Sequence, residues 1–492
     1  MLVRIKKVLA IHIVVVIVME IIRVLVLVVT VINGIKYLYL RNFVFFKYKL
    51  FSVKVGFSMY NASFYNIPIE RFSDENTICI YNSKSGAIVR LKQENWEALC
   101  NHPIKEDVVR EYIPELLRQG IIIDYKKDEI QEIIFNMRKR QYSSTGMLSL
   151  VIAPTMQCNY KCTYCFENES KLSEYYVMGN KEISGIYDFI SKYLQEHFDI
   201  KKLSIHWFGG EPLLAYEKVI KPLSSTLISL AQEKKIDYQS AIITNGFLLD
   251  YEVFKELTEK CLIDDYQITF DGRKDNYIRM KCPPINAYEK VKNNILSISN
   301  YIAESRRNIK VHIRINVDSS NVDDAKPFVE EIKGDSLYKN NLMFYLGRIR
   351  GTDYSLDVCE FERYEDTFNE YIKKKTKFLE PRSIWCNQFS FNSFCIGPTG
   401  EIYKCEHDFE RKGCVIGNIT TGLYYNDFLE EYMNQPVADC CKECKIFPIC
   451  LGGCPNYKYH SKQKHSCEYS HNRIIKSVEK YIKEKTDSNQ AV

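Results

Sequence analysis

Between residues 148 and 357, short apolar runs alternate with longer segments whose apolar residues recur at helical spacing. This alternation predicts strands joined by helices, and therefore a parallel sheet with right-handed crossovers. The predicted strands are Leu148–Ala153, Leu203–Phe208, Ala241–Thr244, Tyr266–Phe270, Val311–Val317 and Met343–Gly347. The predicted helices include Ala215–Lys235, Tyr251–Cys261, Ala287–Glu304 and Ala325–Ile332. In such an α/β fold we expect the functional side chains at the carboxyl ends of the strands.

Residues 58–140 have a different pattern, in which strands come before a small set of helices. The runs Ile78–Tyr81 and Ala87–Leu91 flank turn residues and predict a hairpin. Helical spacing follows at Gln93–Leu99 and Val108–Leu117, and a glycine ends the second helix before the apolar run Ile121–Ile123. The pattern predicts a small winged-helix-like α+β domain.

The N-terminal segment, residues 1–57, is dominated by the apolar run Val8–Ile32, which is long enough to cross a bilayer. Glu20 and Arg23 lie near its middle, and each costs about 3 kcal/mol there on the insertion scale. Three interpretations remain open: a membrane-associated segment, a peripheral helix, or translated upstream sequence before a true start at Met59.

Composition narrows the class of protein. A chain of 492 residues exceeds one ordinary core and predicts several domains. A net charge of +5 is small for this length, so we expect no nucleic-acid partner. The 18 cysteines are clustered, and no export cleavage site follows the first apolar run. Clustered cysteines in a reducing compartment more often bind metals, which predicts a cytoplasmic metalloprotein.

Cys158, Cys162 and Cys165 form a CxxxCxxC loop directly after the first predicted barrel strand. A tetrahedral zinc site or an ordinary ferredoxin cluster requires four protein ligands. Three thiols on one loop can instead hold a four-iron cluster and leave its fourth iron open to a small molecule. The alternative is a zinc knuckle that takes its fourth ligand from elsewhere in the chain.

The second predicted strand ends in Gly209-Gly210-Glu211-Pro212. We expect the two glycines to let the backbone approach a ligand closely. The Glu211 carboxylate could then accept hydrogen bonds from an ammonium group.

The cysteine loop and the GGEP turn resemble those of the radical S-adenosylmethionine (SAM) enzymes. The resemblance implies a partial (β/α)6 TIM-like barrel at residues 145–357, in which the open iron binds SAM. Reductive cleavage of SAM then yields a 5′-deoxyadenosyl radical. It also implies that the GGEP turn contacts the SAM amino group and that Thr269 faces the ribose. Arg314 and Asn316 alternate with apolar neighbours on the fifth strand. They could reach the cofactor or instead bond to the next loop.

A second cysteine array resembles the SPASM extension of this family, at residues 378–470. Its pattern is Cys386-x13-Gly400-x4-Cys405, followed by a CxxCx5Cx3C array and a last cysteine. The resemblance implies two auxiliary [4Fe-4S] clusters. The first would use Cys386, Cys405 and Cys454, with Cys395, substrate or water completing it. Cys440 could be an alternate ligand, and a pair of zinc sites is the competing interpretation. The second would use Cys441, Cys444, Cys450 and Cys467. We expect the scattered cysteines Cys79, Cys100, Cys261, Cys282, Cys359 and Cys414 to be buried.

The order of these segments resembles peptide maturases that form thioether or carbon–carbon cross-links in a ribosomally made precursor peptide. By this resemblance, residues 58–140 of this chain would recognise the leader of the precursor peptide. Residues 471–492 would form a C-terminal helix or tail. A flavodoxin or ferredoxin would donate the electrons. One alternative is an anaerobic sulfatase maturase, which makes formylglycine. That family has Tyr where this chain has Glu167, and an Asp base where it has Glu406, although Glu406 could serve as a base. The other is a non-catalytic iron–sulfur or zinc protein that binds peptide.

Overall fold

The computed structural model describes residues 59–101, 104–143, 146–169, 176–374, 379–462, 465–467 and 469–489. The chain divides into two units, Met1–Gly56 and Phe57–Val492. The apolar segment proposed as a membrane or peripheral helix lies outside the described residues. Within the described ranges, no helix is both long enough and apolar enough to cross a bilayer.

The core of the second unit is a run of six parallel strands that pair in sequence order. The six predicted strands are confirmed, with ends shifted by a few residues. They are β6 (Met147–Ile152), β7 (Lys202–Trp207), β8 (Asp237–Thr244), β9 (Ile263–Thr269), β10 (Lys310–Val317) and β11 (Met343–Arg348). The helices between and after them are α5 (Asn180–Glu196), α6 (Lys221–Lys234), α7 (Tyr251–Glu259), α8 (Lys274–Lys281), α9 (Ala287–Glu304), α10 (Ala325–Lys333) and α11 (Val358–Tyr371).

Side-chain alternation along the strands separates the apolar core from a polar inner face. In β10, Ile313 and Ile315 are fully buried in the core. Arg314 lies between them in sequence and is half-buried on the opposite face, as the period of two in a strand requires. The polar face therefore gathers functional groups from several neighbouring strands.

The cysteine-rich C-terminal region continues the same sheet. Strand β12 (Ser393–Ile396) pairs in parallel with β6, and Cys395 lies opposite Val151. Three short antiparallel strands follow, and in the part of the chain that the structure describes the sheet has ten strands. Cys395 thus lies in a strand that is hydrogen-bonded to the strand leading into the CxxxCxxC loop. The three strands are β13 (Glu401–Tyr403), β14 (Gly417–Asn418) and β15 (Gly422–Leu423), and the helices are α12 (Asp427–Met433), α13 (Asp439–Lys442), α14 (Phe447–Cys450), α15 (Pro455–Ser461) and α16 (His471–Asn489).

The N-terminal part, residues 59–142, is a small α+β arrangement, and its predicted hairpin is present as β3 (Thr77–Asn82) paired with β4 (Ile88–Lys92). The predicted helix Val108–Leu117 is wrong, because the chain forms two short helices separated at Arg110–Tyr112. Pro114 explains the break, because it has no amide hydrogen for the Arg110 carbonyl and its ring would clash with that carbonyl, whereas a proline is tolerated in the first turn of the following helix. The strands are β1 (Tyr60–Ala62), β2 (Asn66–Pro68), β3 (Thr77–Asn82), β4 (Ile88–Lys92) and β5 (Ile122–Asp124), and the helices are α1 (Gln93–Cys100), α2 (Glu106–Val109), α3 (Ile113–Arg118) and α4 (Glu129–Tyr142).

This N-terminal part packs on the cysteine-rich region. Arg138 in α4 donates to the carbonyl oxygens of Met433 and Gln435, at 2.7 and 2.6 Å. Tyr81 in β3 shares an apolar cluster with Ile474 in α16. Because buried backbone carbonyls need donors, these contacts tie α4 to the segment between the proposed ligands of the two auxiliary centres.

Candidate functional site

The CxxxCxxC loop leaves β6 and is held by the end of α8. The amide of Thr163 donates to the carbonyl oxygen of Met280 at 2.9 Å, and the amide of Lys161 donates to that of Lys281 at 3.3 Å. These bonds are between backbone groups, so they position the loop without using its side chains.

The three thiols of this loop repel one another when ionised. Cys158 is solvent-accessible, but the packed residues around it desolvate its thiol and raise its pKa to about 12. Burial likewise raises the pKa of Cys162 to about 11, and the Cys165 thiol adds to the rise. Metals bind the thiolate form of cysteine. A positively charged metal centre would therefore offset both the desolvation of the three thiolates and their mutual repulsion. The donor set fits an iron–sulfur cluster held by three protein ligands.

The GGEP turn lies against the backbone that leads into the cysteine loop. A Cβ atom at Gly209, where φ is +106°, would lie 2.5 Å from the carbonyl oxygen of Thr155. A Cβ at Gly210 would overlap the carbonyl oxygens of Met156 and Gln157. The neighbouring strand end occupies the space, and the glycines let the turn and the loop pack together. That these glycines also let the backbone approach a ligand closely stays a prediction.

Glu211, the acid of this turn, is buried, with only 1% of its surface exposed. Its carboxylate accepts hydrogen bonds from the Thr244 hydroxyl at 2.7 Å, the Asn245 amide at 2.8 Å and the Leu213 amide at 3.1 Å. A carboxylate offers about four lone-pair sites, so one acceptor position remains for a ligand. Pro212 begins the short helix that follows, for which the Glu211 side chain is the N-terminal cap.

A buried polar network connects the cysteine loop to β9. Tyr164, between the second and third loop cysteines, donates to the Asp271 carboxylate. Lys281 is 3% exposed and lies 3.8 Å from the same carboxylate. Its Nζ also donates to the Thr269 hydroxyl at 2.5 Å. Thr269, predicted to face the ribose, is therefore already oriented by a buried ammonium group.

Arg314 and Asn316 lie side by side on the polar face, as their alternation predicted. Arg314 Nε donates to Asn316 Oδ1 at 2.7 Å, and Asn316 Nδ2 donates to the Tyr164 hydroxyl at 3.1 Å. Gly347 in β11 makes room for the guanidinium group, because a Cβ there would overlap it. The arrangement places a fixed cation and an amide next to the cysteine loop.

The C-terminal cysteines form two groups. We call Cys386, Cys395, Cys405 and Cys454 the first auxiliary thiol set. Their charges act on one another, and burial raises the pKa of Cys395 well above its ordinary value. Cys395 and Cys405 are buried, Cys454 is half-buried and Cys386 is exposed. Cys395 is thus placed with the predicted ligands of the first auxiliary cluster.

We call Cys441, Cys444, Cys450 and Cys467 the second auxiliary thiol set. Burial raises the pKa of Cys441 to about 12 and that of Cys450 to about 11, and neighbouring thiols of the set contribute. Cys440 is close enough to raise the pKa of Cys441, but its own Sγ lies 3.5 Å from His465 Nδ1. Cys444 Sγ lies 3.4 Å from His471 Nε2.

Glu406, the candidate base, faces the first auxiliary thiol set. Its carboxylate lies 3.8 Å from the Cys405 thiol and 4.0 Å from the Cys395 thiol. Burial, Glu410 and Glu406 together raise the pKa of Glu167 to about 7. The ring of His407 stacks on Phe166 at 4.1 Å between centroids. This segment therefore brings the end of the CxxxCxxC loop close to the first auxiliary thiols.

The prediction for the six scattered cysteines is right for half of them. Cys79, Cys261 and Cys414 are buried, whereas Cys100, Cys282 and Cys359 are exposed. Cys100 is the last residue of α1 and Cys282 caps α8 in a left-handed conformation. All three exposed cysteines lie at or next to a helix end, where the general tendency of cysteine to be buried does not decide its position.

Sequence reasoning missed Tyr164, Asp271, Lys281 and Lys404. Tyr164 lies inside the cysteine motif and Asp271 ends a strand, so both positions carried a signal. Lys281 is the last residue of a helix, and no sequence pattern marked it as functional. Lys404 directly precedes Cys405; burial lowers its pKa to about 7, while the thiols of the first auxiliary set oppose that fall.

Comparison with known proteins agrees with this geometry. Residues 152–326 match the family model of the Radical SAM superfamily. A cysteine-type anaerobic sulfatase-maturating enzyme of Clostridium perfringens (strain 13 / Type A) is 24% identical over 339 residues, which cover 62% of this chain and 88% of that protein. The radical SAM cyclopropyl synthase TigE of Paramaledivibacter caminithermalis is 26% identical over 211 residues, which cover 37% of this chain and 44% of that protein.

Among solved structures, Streptococcus suis SuiB bound to the precursor peptide SuiA aligns with 84% of this chain and 99% of its own, at 16% identity and a TM-score of 0.45. The segment that matches the family model contains the CxxxCxxC loop, the GGEP turn and strands β7 to β10. Residues 152–326 are therefore similar to the Radical SAM superfamily, whose members use SAM and a [4Fe-4S] cluster.

Proposed function

We propose that this protein is a radical SAM maturase that modifies a ribosomally made peptide, forming a thioether or carbon–carbon cross-link. The observation that carries the proposal is the contact between the CxxxCxxC loop and the GGEP turn, joined through the glycines that pack on residues 155–157. Cys158, Cys162 and Cys165 would hold the cluster. When bound, the cluster and SAM supply a 5′-deoxyadenosyl radical that removes a hydrogen atom from the substrate.

The residues around the loop would bind and orient SAM. The Glu211 carboxylate would accept a hydrogen bond from the SAM amino group at its remaining acceptor position. The buried donors of Thr244 and Asn245 hold the Glu211 carboxylate in place. Thr269 would meet the ribose, with its hydroxyl oriented by Lys281. Arg314 and Asn316 would contact the polar end of the cofactor from β10. Such preorganisation lowers the ordering cost at the moment of reaction.

The peptide substrate would be held by the N-terminal α+β part. In its three-stranded sheet, as far as the structure describes it, β4 lies at one edge and pairs with β3 alone. A leader peptide could add to this edge as a further strand. Holding the leader there would raise the local concentration of the attached core peptide near the cysteine loop.

A second candidate is an anaerobic sulfatase maturase, which would oxidise a Cys or Ser to formylglycine. The match to the Clostridium perfringens enzyme along 88% of its length favours it. Glu406 would then be the base, in the place where that family carries an Asp. Glu167 lies near Glu406, and its pKa is raised to about 7. Glu167 is therefore a second acid beside the candidate base that can hold a proton.

The test is an anaerobic assay with reconstituted protein, SAM and dithionite. Formation of 5′-deoxyadenosine is expected, followed by a cross-linked product when the peptide from a short Cys-rich neighbouring reading frame is added. Mass spectrometry identifies the product. An aldehyde that reacts with a hydrazide probe in a sulfatase-type peptide would support the second candidate. Absence of 5′-deoxyadenosine in iron-loaded protein would refute both and favour a non-catalytic metalloprotein.

A further inference from the structure

Three potential metal ligands of different chemistry meet in the cysteine-rich region, apart from the CxxxCxxC loop and the two auxiliary thiol sets. The thiol of Cys414, a carboxylate oxygen of Asp408 and a ring nitrogen of His460 all lie within 4.8 Å of one another. Asp408 and Cys414 are buried, whereas His460 is open to solvent. One side of the cluster is therefore enclosed and the other can be reached by an ion.

The Asp408 carboxylate is the centre of this cluster. His460 Nε2 lies 2.6 Å from its Oδ1, and Asn456 Nδ2 donates to its Oδ2 at 2.8 Å. The Arg411 guanidinium group lies 3.8 Å from Oδ1, but 47% of that side chain is exposed, so it can turn towards solvent. One carboxylate oxygen is thus held by an amide, and the other faces the imidazole ring.

Cys414 has the properties of a ligand rather than those of a nucleophile. Its thiol makes no hydrogen bond to the residues that the structure describes. Burial and the Asp408 carboxylate raise the pKa of Cys414 to about 12, whereas an activated nucleophile needs a lowered pKa. Buried charged groups are paired or bind metals, so a cation would stabilise the thiolate and the carboxylate side by side.

A sulfur, a nitrogen and an oxygen donor together suit zinc. Zinc bonds are about 2.3 Å long to sulfur and about 2.0–2.2 Å to nitrogen and oxygen, so tetrahedral donors lie roughly 3.3–3.6 Å apart. The Asp408 and His460 donors would move apart from 2.6 Å, and a thiol within 4.8 Å would move closer. Side-chain rotations are enough for both changes.

The three side chains come from segments that follow two predicted auxiliary ligands. Cys405 directly precedes the short helix Glu406–Asp408, which carries the carboxylate. Cys454 directly precedes α15, which carries His460. An ion bound by these side chains would join the two segments at a place where no strand pairing connects them.

We propose that Asp408, Cys414 and His460 bind a zinc ion, with a water molecule as its fourth ligand, and that this ion joins the segment after Cys405 to α15. The site goes beyond the proposed function, because neither SAM cleavage nor the auxiliary clusters require it. Its role is structural: it would hold in place the backbone next to Cys405 and Cys454.

The first experiment measures the zinc content of the full chain. The protein is reconstituted anaerobically with iron and sulfide, incubated with zinc chloride, desalted and analysed by elemental mass spectrometry. His460→Ala should retain about one zinc ion per chain less than the parent protein. Tyr457→Ala, at a residue of the same helix that is 43% exposed, should retain as much zinc as the parent. Equal zinc in His460→Ala and the parent would overturn the proposal.

Cys414→Ala should lose the same zinc ion, and Cys261→Ala, at another buried cysteine, should keep it. Retention of the ion in folded Cys414→Ala would overturn the assignment of the thiol. If Cys414→Ala does not fold, His460→Ala decides the question, because it changes a solvent-accessible side chain.

The second experiment is zinc X-ray absorption of the parent protein. One sulfur at about 2.3 Å with nitrogen and oxygen donors at about 2.0–2.1 Å is expected. Four sulfur ligands would place the ion in a cysteine set and overturn the proposal.

Thermal unfolding tests the structural role, because a ligand that binds only the folded state raises the unfolding midpoint. Zinc should raise the midpoint of the parent protein and leave that of His460→Ala unchanged. The same midpoint with and without zinc in the parent would overturn the joining role. None of these measurements uses SAM or peptide, so each can fail independently of the proposed function.

Discussion

Tyr164, between two cysteines of the CxxxCxxC loop, donates a hydrogen bond to Asp271 at the carboxyl end of β9. The same carboxylate accepts a hydrogen bond from the backbone amide of Asn316 at 2.8 Å, so one acid joins the loop to two strands. Lys281 completes the set from the end of α8. The loop that is proposed to hold the catalytic cluster is therefore anchored by side chains as well as by its backbone.

Tyr164→Phe should weaken this anchor without removing a ligand. A hydrogen bond to a charged group contributes about 1.5–3 kcal/mol. We expect the variant to lose loop iron faster on exposure to a chelator and to form 5′-deoxyadenosine more slowly. Iron release is followed by absorbance under anaerobic conditions. Tyr354→Phe, at a tyrosine that is 61% exposed, is the matched control and should behave like the parent protein.

Asp271 and Lys281 should show energetic coupling as a buried pair. Either Asp271→Asn or Lys281→Met leaves an uncompensated charge, and each should lower the free energy of unfolding by roughly 3–5 kcal/mol. The double variant should lose less than the sum, with a coupling of about 0.5–3 kcal/mol. Denaturant unfolding of the two single variants and the double variant measures this cycle. Strict additivity would show that the two groups do not interact.

Gly210→Ala should disrupt the contact between the GGEP turn and the cysteine loop, because its Cβ would overlap backbone carbonyls. Overpacking of this kind typically costs about 1–3 kcal/mol. We expect reduced iron in the loop cluster while the auxiliary centres stay loaded, as measured by iron analysis and EPR. Gly413→Ala is the control, since nothing lies within 4 Å of its added Cβ. Equal iron loading in both variants would refute the packing role of Gly210.

Arg138→Met should loosen the N-terminal part from the cysteine-rich region. The Met433 carbonyl oxygen keeps the Gln141 side chain as a donor, whereas the Gln435 carbonyl oxygen loses the Arg138 donor, at a cost of about 1–3 kcal/mol. A lower midpoint of thermal unfolding is expected. Lys139→Met, at an exposed neighbour in the same helix, should leave the midpoint in place. A lowered midpoint in both variants would point to the helix itself.

Much of the barrel could be predicted because strand and helix periodicities differ and the motifs lie at strand ends. The helix Ala287–Glu304 was predicted to the residue, and the six strands were predicted with ends shifted by up to four residues. The break at Pro114 was missed because helical spacing was followed across a proline. The pairing of β12 with β6 could not be predicted, since those strands are far apart in sequence and no pattern records which edges meet.

Some residues of the candidate site could likewise be predicted from the sequence, and others could not. Ligand spacing predicted a metal centre at the cysteine loop, and the resemblance to the SPASM extension implied the two auxiliary sets; these ligand assignments stay predictions. Lys281 and Lys404 could not be identified, because a lysine looks like a solvated residue until its burial is known.

The most direct test of the account is the Cys162→Ala variant, assayed anaerobically with SAM and dithionite. The expected result is no 5′-deoxyadenosine, with the iron content falling from roughly twelve to roughly eight per chain as both auxiliary centres remain. Continued formation of 5′-deoxyadenosine by the variant would contradict the assignment of the CxxxCxxC loop as the centre that cleaves SAM.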